Sequence, residues 1–147
     1  AWEISREIGN IQILSESFNS EVMISMNEIS IINFKENEYW REYAENYLLK
    51  CEKTLKLVDN YDDPYALNLV FSLAGSWYCF FGYQFVEDER EHEKYLDKGI
   101  GLLEKALIFA RKTKNKASII GCLFLMDYFA LFSGRVNYLQ KRILNEY

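Results

Sequence analysis

Glu104-Lys-Ala-Leu-Ile-Phe-Ala-Arg-Lys-Thr-Lys-Asn-Lys-Ala-Ser-Ile-Ile-Gly-Cys-Leu-Phe-Leu-Met-Asp-Tyr-Phe-Ala-Leu-Phe-Ser-Gly134 reads as the amphipathic end of one helix, a polar turn and a very apolar helix. Much the same pattern runs 52 residues earlier, from Glu52-Lys-Thr-Leu-Lys-Leu-Val to Phe-Phe-Gly82, and the two segments align without a gap. Glu52 and Glu104, Lys53 and Lys105, Leu55 and Leu107, and Gly82 and Gly134 coincide. A shorter echo opens the chain, where Ala1-Trp-Glu-Ile-Ser-Arg-Glu-Ile-Gly-Asn10 reads like Ala106-Leu-Ile-Phe-Ala-Arg-Lys-Thr-Lys-Asn115. Self-similarity at a fixed interval of this size is the signature of a helical repeat array, in which each unit buries its apolar face against its neighbours. It predicts an all-α fold of antiparallel helix pairs, read as one domain over residues 1–147. Because the pattern begins inside a helix, the domain is expected to be a piece of a longer array.

Composition agrees with a packed helical domain. Half of the 147 residues are hydrophobic, and one Pro and seven Gly leave few places where a helix must break. A chain so rich in apolar side chains is not disordered. The net charge of −5 gives no electrostatic drive toward a nucleic-acid backbone, so direct nucleic-acid binding is not expected. Cys51, Cys79 and Cys122 are an odd number at wide spacing. They fit core packing in a reducing, cytoplasmic setting better than a disulfide framework. The opening residues lack a basic region followed by an apolar run and do not read as a signal peptide.

Along the chain, residues 1–9 read as the end of a helix closed by Gly9-Asn10. From Ile11, apolar residues recur every three or four positions at Leu14, Phe18, Val22, Met26, Ile29 and Ile32, which is a helix of about six turns. Lys35-Glu-Asn-Glu38 is a turn, and Tyr39 to Val58 a second helix. Asp59-Asn-Tyr-Asp-Asp-Pro64 ends it, since the residue before Pro is pushed out of the helical region while Pro suits a first turn. Tyr65 to Phe85 is a third helix, apolar on every face in its middle. Val86 to Lys98 is a charged turn and an acidic helix start, favourable at the positive end of the dipole. That helix runs to Thr113 with a basic end, Ala117 to Ser133 forms the next with Gly134 as its cap, and Val136 to Tyr147 begins another.

The small and large residues of these helices are set at characteristic spacings. Gly75, Tyr78 and Gly82 follow one another in the third helix; Gly99, Leu103 and Ala106 do so in the fourth, and Tyr47, Cys51 and Thr54 hold the matching places in the second. This pattern resembles the tetratricopeptide repeat family, whose paired helices A and B carry small and aromatic residues in that order. A small residue lets the partner backbone approach, and a large one fills the groove beside it. Close approach would explain Gly99 and Gly101, each of which costs about 1 kcal/mol against Ala inside a helix. The family's unit is about 34 residues long, so an interval of 52 requires longer helices. Asp127 and Ala130 replace the small and aromatic residues of the last unit. The resemblance implies helix pairs stacked as a right-handed superhelix, an α-solenoid, with the helix A faces lining a groove. On this geometry the groove is lined by Ser72, Ser76 and Phe80 from one helix and Phe124, Tyr128 and Phe132 from the next.

Such a groove is unusually apolar for solvent and implies a non-catalytic scaffold or sensor region. The expected partner is a protein or peptide, or a second copy of the chain in a homodimer. No cofactor or metal is expected. Gly99-Ile-Gly101 lacks the rest of a phosphate-binding loop, and one His with no ligand spacing does not make a metal site. His92 reads as a solvated surface residue, Cys79 and Cys122 as small hydrophobes in the core, and Asp127 as a carboxylate bonded to a Tyr or Lys of a neighbouring helix. The first alternative is a membrane-associated helical domain, because Leu67 to Val86 is an uncharged stretch of spanning length. Its Asn68 and Gln84 speak against that. The second is an α-helical enzyme, for which no acid, base and nucleophile constellation is visible.

Overall fold

A computed structural model of the chain describes residues 2–29 and 38–146. These residues form seven helices and no strand: α1 (Trp2–Ile8), α2 (Ile11–Ile29), α3 (Glu38–Val58), α4 (Pro64–Phe85), α5 (Glu89–Thr113), α6 (Lys116–Phe132) and α7 (Val136–Glu146). The places expected of Ile32 and of the turn at Lys35 lie outside the described residues.

The starts of α2, α4 and α6 share one device. A short polar side chain accepts the backbone N–H groups that a first turn leaves without intrahelical partners. Asn10 Oδ1 takes the amides of Gln12 (3.0 Å) and Ile13 (3.2 Å). Asp63 Oδ1 takes those of Tyr65 (3.0 Å) and Ala66 (3.1 Å), with Pro64 following in the first turn. Asn115 Oδ1 takes that of Ser118 (3.2 Å). The three caps follow at intervals of 53 and 52 residues, so the echo between Asn10 and Asn115 marks equivalent helix starts. The residue before two of these caps is left-handed, Gly9 at φ 68° and Lys114 at φ 56°. The start of α5 follows the same chemistry, for Asp88 accepts from the Glu91 amide at 3.0 Å, and Glu89 and Glu91 lie in its first turn.

Packing is centred on α4, which lies against α2, α3, α5 and α6. It runs antiparallel to α5 in three contacts along their length. Asn68 Nδ2 donates to the Ala106 carbonyl at 2.9 Å, Gly75 faces Gly99, and the Gly82 carbonyl lies 2.9 Å from His92 Nδ1. These positions fall every seven residues on both helices, and so form one stripe on each. α3 runs antiparallel on another flank, where Trp77 Nε1 donates to the Ala44 carbonyl (3.3 Å) and Arg41 Nη2 to the Phe85 carbonyl (2.9 Å). α6 lies parallel beside α4, with Asn68 Nδ2 near Cys122 Sγ (3.5 Å) at one end and Tyr83 near Phe132 at the other. α2 is likewise parallel to α4, and Gln12 Nε2 reaches Asp63 Oδ2 at 3.3 Å. Trp77, Tyr78, Phe18, Leu103 and Met126 are fully buried between these layers. Tyr47, Cys51 and Thr54, the α3 counterparts of Gly99, Leu103 and Ala106, are buried as well.

The glycines divide by role. A Cβ added to Gly99 would overlap the Cys79 sulfur and stand 2.7 Å from the Gly75 carbonyl oxygen. One added to Gly75 would stand 2.8 Å from the Gly99 carbonyl oxygen. Gly101, also expected to serve close approach, has nothing within 4 Å of an added Cβ, so no close contact explains it. Gly82 and Gly134 coincide in the alignment but differ in role. Gly134 is a left-handed cap at φ 71°, while Gly82 sits inside α4 with an added Cβ 2.7 Å from Cβ of Tyr95.

Gly99→Ala should therefore destabilise the fold by at least about 1–3 kcal/mol, the usual cost of overpacking, because the groups it meets include backbone. Gly101→Ala should stabilise it by up to about 1 kcal/mol through helix propensity alone. Thermal melts of the two variants check this, and equal shifts of the same sign would contradict it.

Candidate functional site

In α6, the side chains of Phe124, Tyr128 and Phe132 recur every four residues and so share one helix face. Cys122, Met126, Phe129 and Ala130 occupy the other face and are buried. The first three remain open to solvent, at 63%, 44% and 53% exposure. Their rings form a ladder, with centroids 6.2 Å apart from Phe124 to Tyr128 and 4.5 Å from Tyr128 to Phe132. Tyr83 of α4, 45% exposed, extends the ladder with its ring 6.2 Å from that of Phe132.

The residues expected from α4 are placed differently from one another. Ser72 is half-buried, and Ser76 is buried with its hydroxyl donating to the Ser72 carbonyl at 2.8 Å. Phe80 is half-buried and turned to Trp77 (5.5 Å) and Phe85 (6.2 Å). Tyr83 holds the place beside the α6 rings, and Tyr83 is what the sequence reading missed. Its signal was present: it follows Ser76 by seven residues and so continues the Ser72–Ser76 face. The 52-residue alignment instead paired Phe80 with Phe132.

The groups with chemical potential are held in structural contacts. His92 is half-buried, not solvated as expected. With its Nδ1 protonated it donates to the Gly82 carbonyl, a bond that the missing Cβ at Gly82 makes reachable. The Tyr78 hydroxyl donates to Glu52 Oε1 at 3.0 Å; burial, then the Glu52 charge, holds its proton far more tightly than in an ordinary phenol. Glu104, the repeat counterpart of Glu52, also accepts a phenol, from Tyr138 at 3.0 Å. Cys51, Cys79 and Cys122 are free and buried. Asp127 is half-buried where α4 has Gly75. Among the described residues, no cluster of three or more His, Cys, Asp and Glu side chains is placed to hold a metal ion. No described helix is long and apolar enough to cross a membrane.

No protein-family model matches the chain, and neither a curated protein nor a solved structure matches it significantly.

Burial pushes the Cys79 thiol up to about 12 from its ordinary 9.0, and raises Cys51 and Cys122 too. The unfolded chain releases these protons from pH 9 upward while the folded chain keeps them. The Cys79 contribution to stability is therefore fully present below pH 9 and is lost as pH rises toward 12. The urea midpoint should fall across that window, and fall less in Cys79→Ala. An unchanged midpoint would mean that the thiols ionise as freely in the folded chain as in the unfolded one.

Proposed function

We propose that this chain is a non-catalytic, cytoplasmic interaction module built as a tetratricopeptide-like stack of helix pairs. Its α6 face takes an apolar segment of a partner protein. One observation carries the reading: Phe124, Tyr128, Phe132 and Tyr83 form an exposed, mutually contacting aromatic ladder on an otherwise well-packed domain. Full burial of an exposed ring is worth about 1.5–3 kcal/mol, and these rings are about half exposed, so association can still gain roughly half of that from each. Aromatic anchors of this kind dominate the energetics of protein interfaces. The stacked-pair reading is supported by the evenly spaced caps and by the parallel course of α2, α4 and α6. In such a stack these are the A helices, and a left-over apolar A face is what the next unit or a ligand covers. The non-catalytic reading is supported by buried thiols and by a histidine tied to a backbone carbonyl. The cytoplasmic setting is supported by three free cysteines.

Phe124→Glu with Tyr128→Glu places two charges on the ladder. The double variant should keep its helical circular dichroism and its melting temperature within a few degrees, since both side chains face solvent. It should lose association, measured as a mass change by light scattering or as loss of a co-purifying partner. A mass that falls from dimer to monomer would identify a second copy of the chain as the occupant. Unfolding of the variant would show the face to be core, and unchanged association would place the binding surface elsewhere.

A further inference from the structure

A groove of about 500 Å³ opens between α3 and the start of α5, on the side of α4 away from the aromatic ladder. The helical repeat puts Tyr78, Phe81 and Phe85 of α4 nearly opposite Ser72, Ser76 and Tyr83. The volume lies in the range of about 300–1,000 Å³ typical of ligand sites. Its lower wall is apolar, with Phe81 and Phe85 deep within it and Leu48, Leu49 and Tyr95 nearer the mouth. Its rim is acidic: Glu45 and Glu52 stand on one bank, Glu87 and Glu91 on the other.

Three positive charges lie nearby, Arg41 in the groove lining and Lys94 and Lys98 beside Glu52, Glu91 and Tyr95, and the carboxylates of the lining, Glu45, Glu52, Glu87, Asp88 and Glu91, outnumber them. Arg41 Nη2 donates to the Phe85 carbonyl at 2.9 Å, closing the end of α4. Lys98 Nζ lies 3.5 Å from Glu52 and 4.2 Å from the centre of the Tyr78 ring. Glu45, Glu87 and Glu91 are exposed carboxylates on the rim. After burial, the charges of Glu91, Glu52 and Glu45 in turn hold the Tyr95 phenol in its protonated form, so carboxylates of both banks act on one point at the mouth. Negative rim and apolar wall together match a side chain with a long aliphatic stem and a cationic head.

We propose that this groove is a second docking site, which receives a basic segment of a partner protein through its arginine or lysine side chains. The stem lies along Leu49 and Tyr95, and the head group pairs with Glu45 and Glu91. Arginine fits best, since its planar fork can engage a carboxylate with two N–H groups and stack on the Tyr95 ring. The site does not depend on the α6 reading, because it lies on another face and takes the opposite kind of side chain.

The test is a titration of isotopically labelled protein with the peptide acetyl-Gly-Arg-Leu-Arg-Gly-amide, followed by amide chemical shifts. The signals of Glu45, Leu49, Glu91 and Tyr95 should move, and the affinity should fall when sodium chloride is raised severalfold. The same peptide with citrulline for arginine, equal in shape but uncharged, should bind up to about tenfold more weakly, the loss expected of two exposed charge pairs. Glu45→Gln with Glu91→Gln should weaken the arginine peptide by a similar factor without changing the melting temperature. Equal binding of the citrulline peptide, shifts confined to the α6 face, or no shifts at all would overturn the proposal. So would agmatine binding as tightly as the peptide, which would make the groove a small-amine site.

Discussion

The approach of α4 to α5 at Gly75 and Gly99 is the constraint from which the rest of the packing follows. Each glycine faces the other's backbone, and neither position has room for a Cβ. Close approach in turn brings polar groups within reach that would otherwise be stranded. Above and below the glycine pair, Asn68 meets the Ala106 carbonyl and His92 meets the Gly82 carbonyl. A buried amide side chain or a half-buried imidazole is costly without such a bond. The two heptad stripes therefore combine shape with hydrogen bonding, and they fix the register of one helix against the other.

With that pair set, α4 has its remaining flanks free for α3, α2 and α6, and it becomes the axis of the domain. Arg135, in the turn before α7, secures the first turns of α5, where it is paired with both Glu93 and Asp97. Tyr61 in the turn before α4 donates its hydroxyl to the Gly9 carbonyl in the turn before α2, at 3.0 Å. Successive turns are thus tied along the edge where the caps lie. The same arrangement leaves α4 between two unlike surfaces, aromatic at Tyr83 and acidic beyond Phe81 and Phe85.

Much of this was legible in the sequence because it depends on local spacing. Helix starts need Asn or Asp, and their recurrence at Asn10, Asp63 and Asn115 is a property of letters alone. Gly75 and Gly99 stand out because glycine inside a helix is costly and suggests close approach, an argument that holds for these two and fails at Gly101. Two of the failures share a cause, which is that a matching letter does not guarantee a matching environment. Gly82 aligns with Gly134, yet α4 runs five residues further than α6 in that alignment, so one glycine lies inside a helix and the other beyond its end. His92 lies in a run of charges and looks solvated; its partner is a backbone carbonyl ten residues earlier, which side-chain chemistry does not reveal. Phe80 and Phe132 align, but α4 has α3 to cover Phe80's neighbours while Phe132 reaches across to Tyr83. Which aromatic faces outward is decided by neighbouring helices, and these differ between α4 and α6.

The most extensive helix–helix interface in the domain also joins helices separated by three residues, Val86 to Asp88. Closing so short a connection takes little chain entropy, and its contacts are rewarded as soon as they form. The α4–α5 hairpin is accordingly the part of the fold expected to form first, before α3 and α6 pack on it. Its amides, at the centre of the Gly75–Gly99 contact, are placed to exchange with solvent only through the largest openings of the structure, while α1 and α7 at its edges fray first.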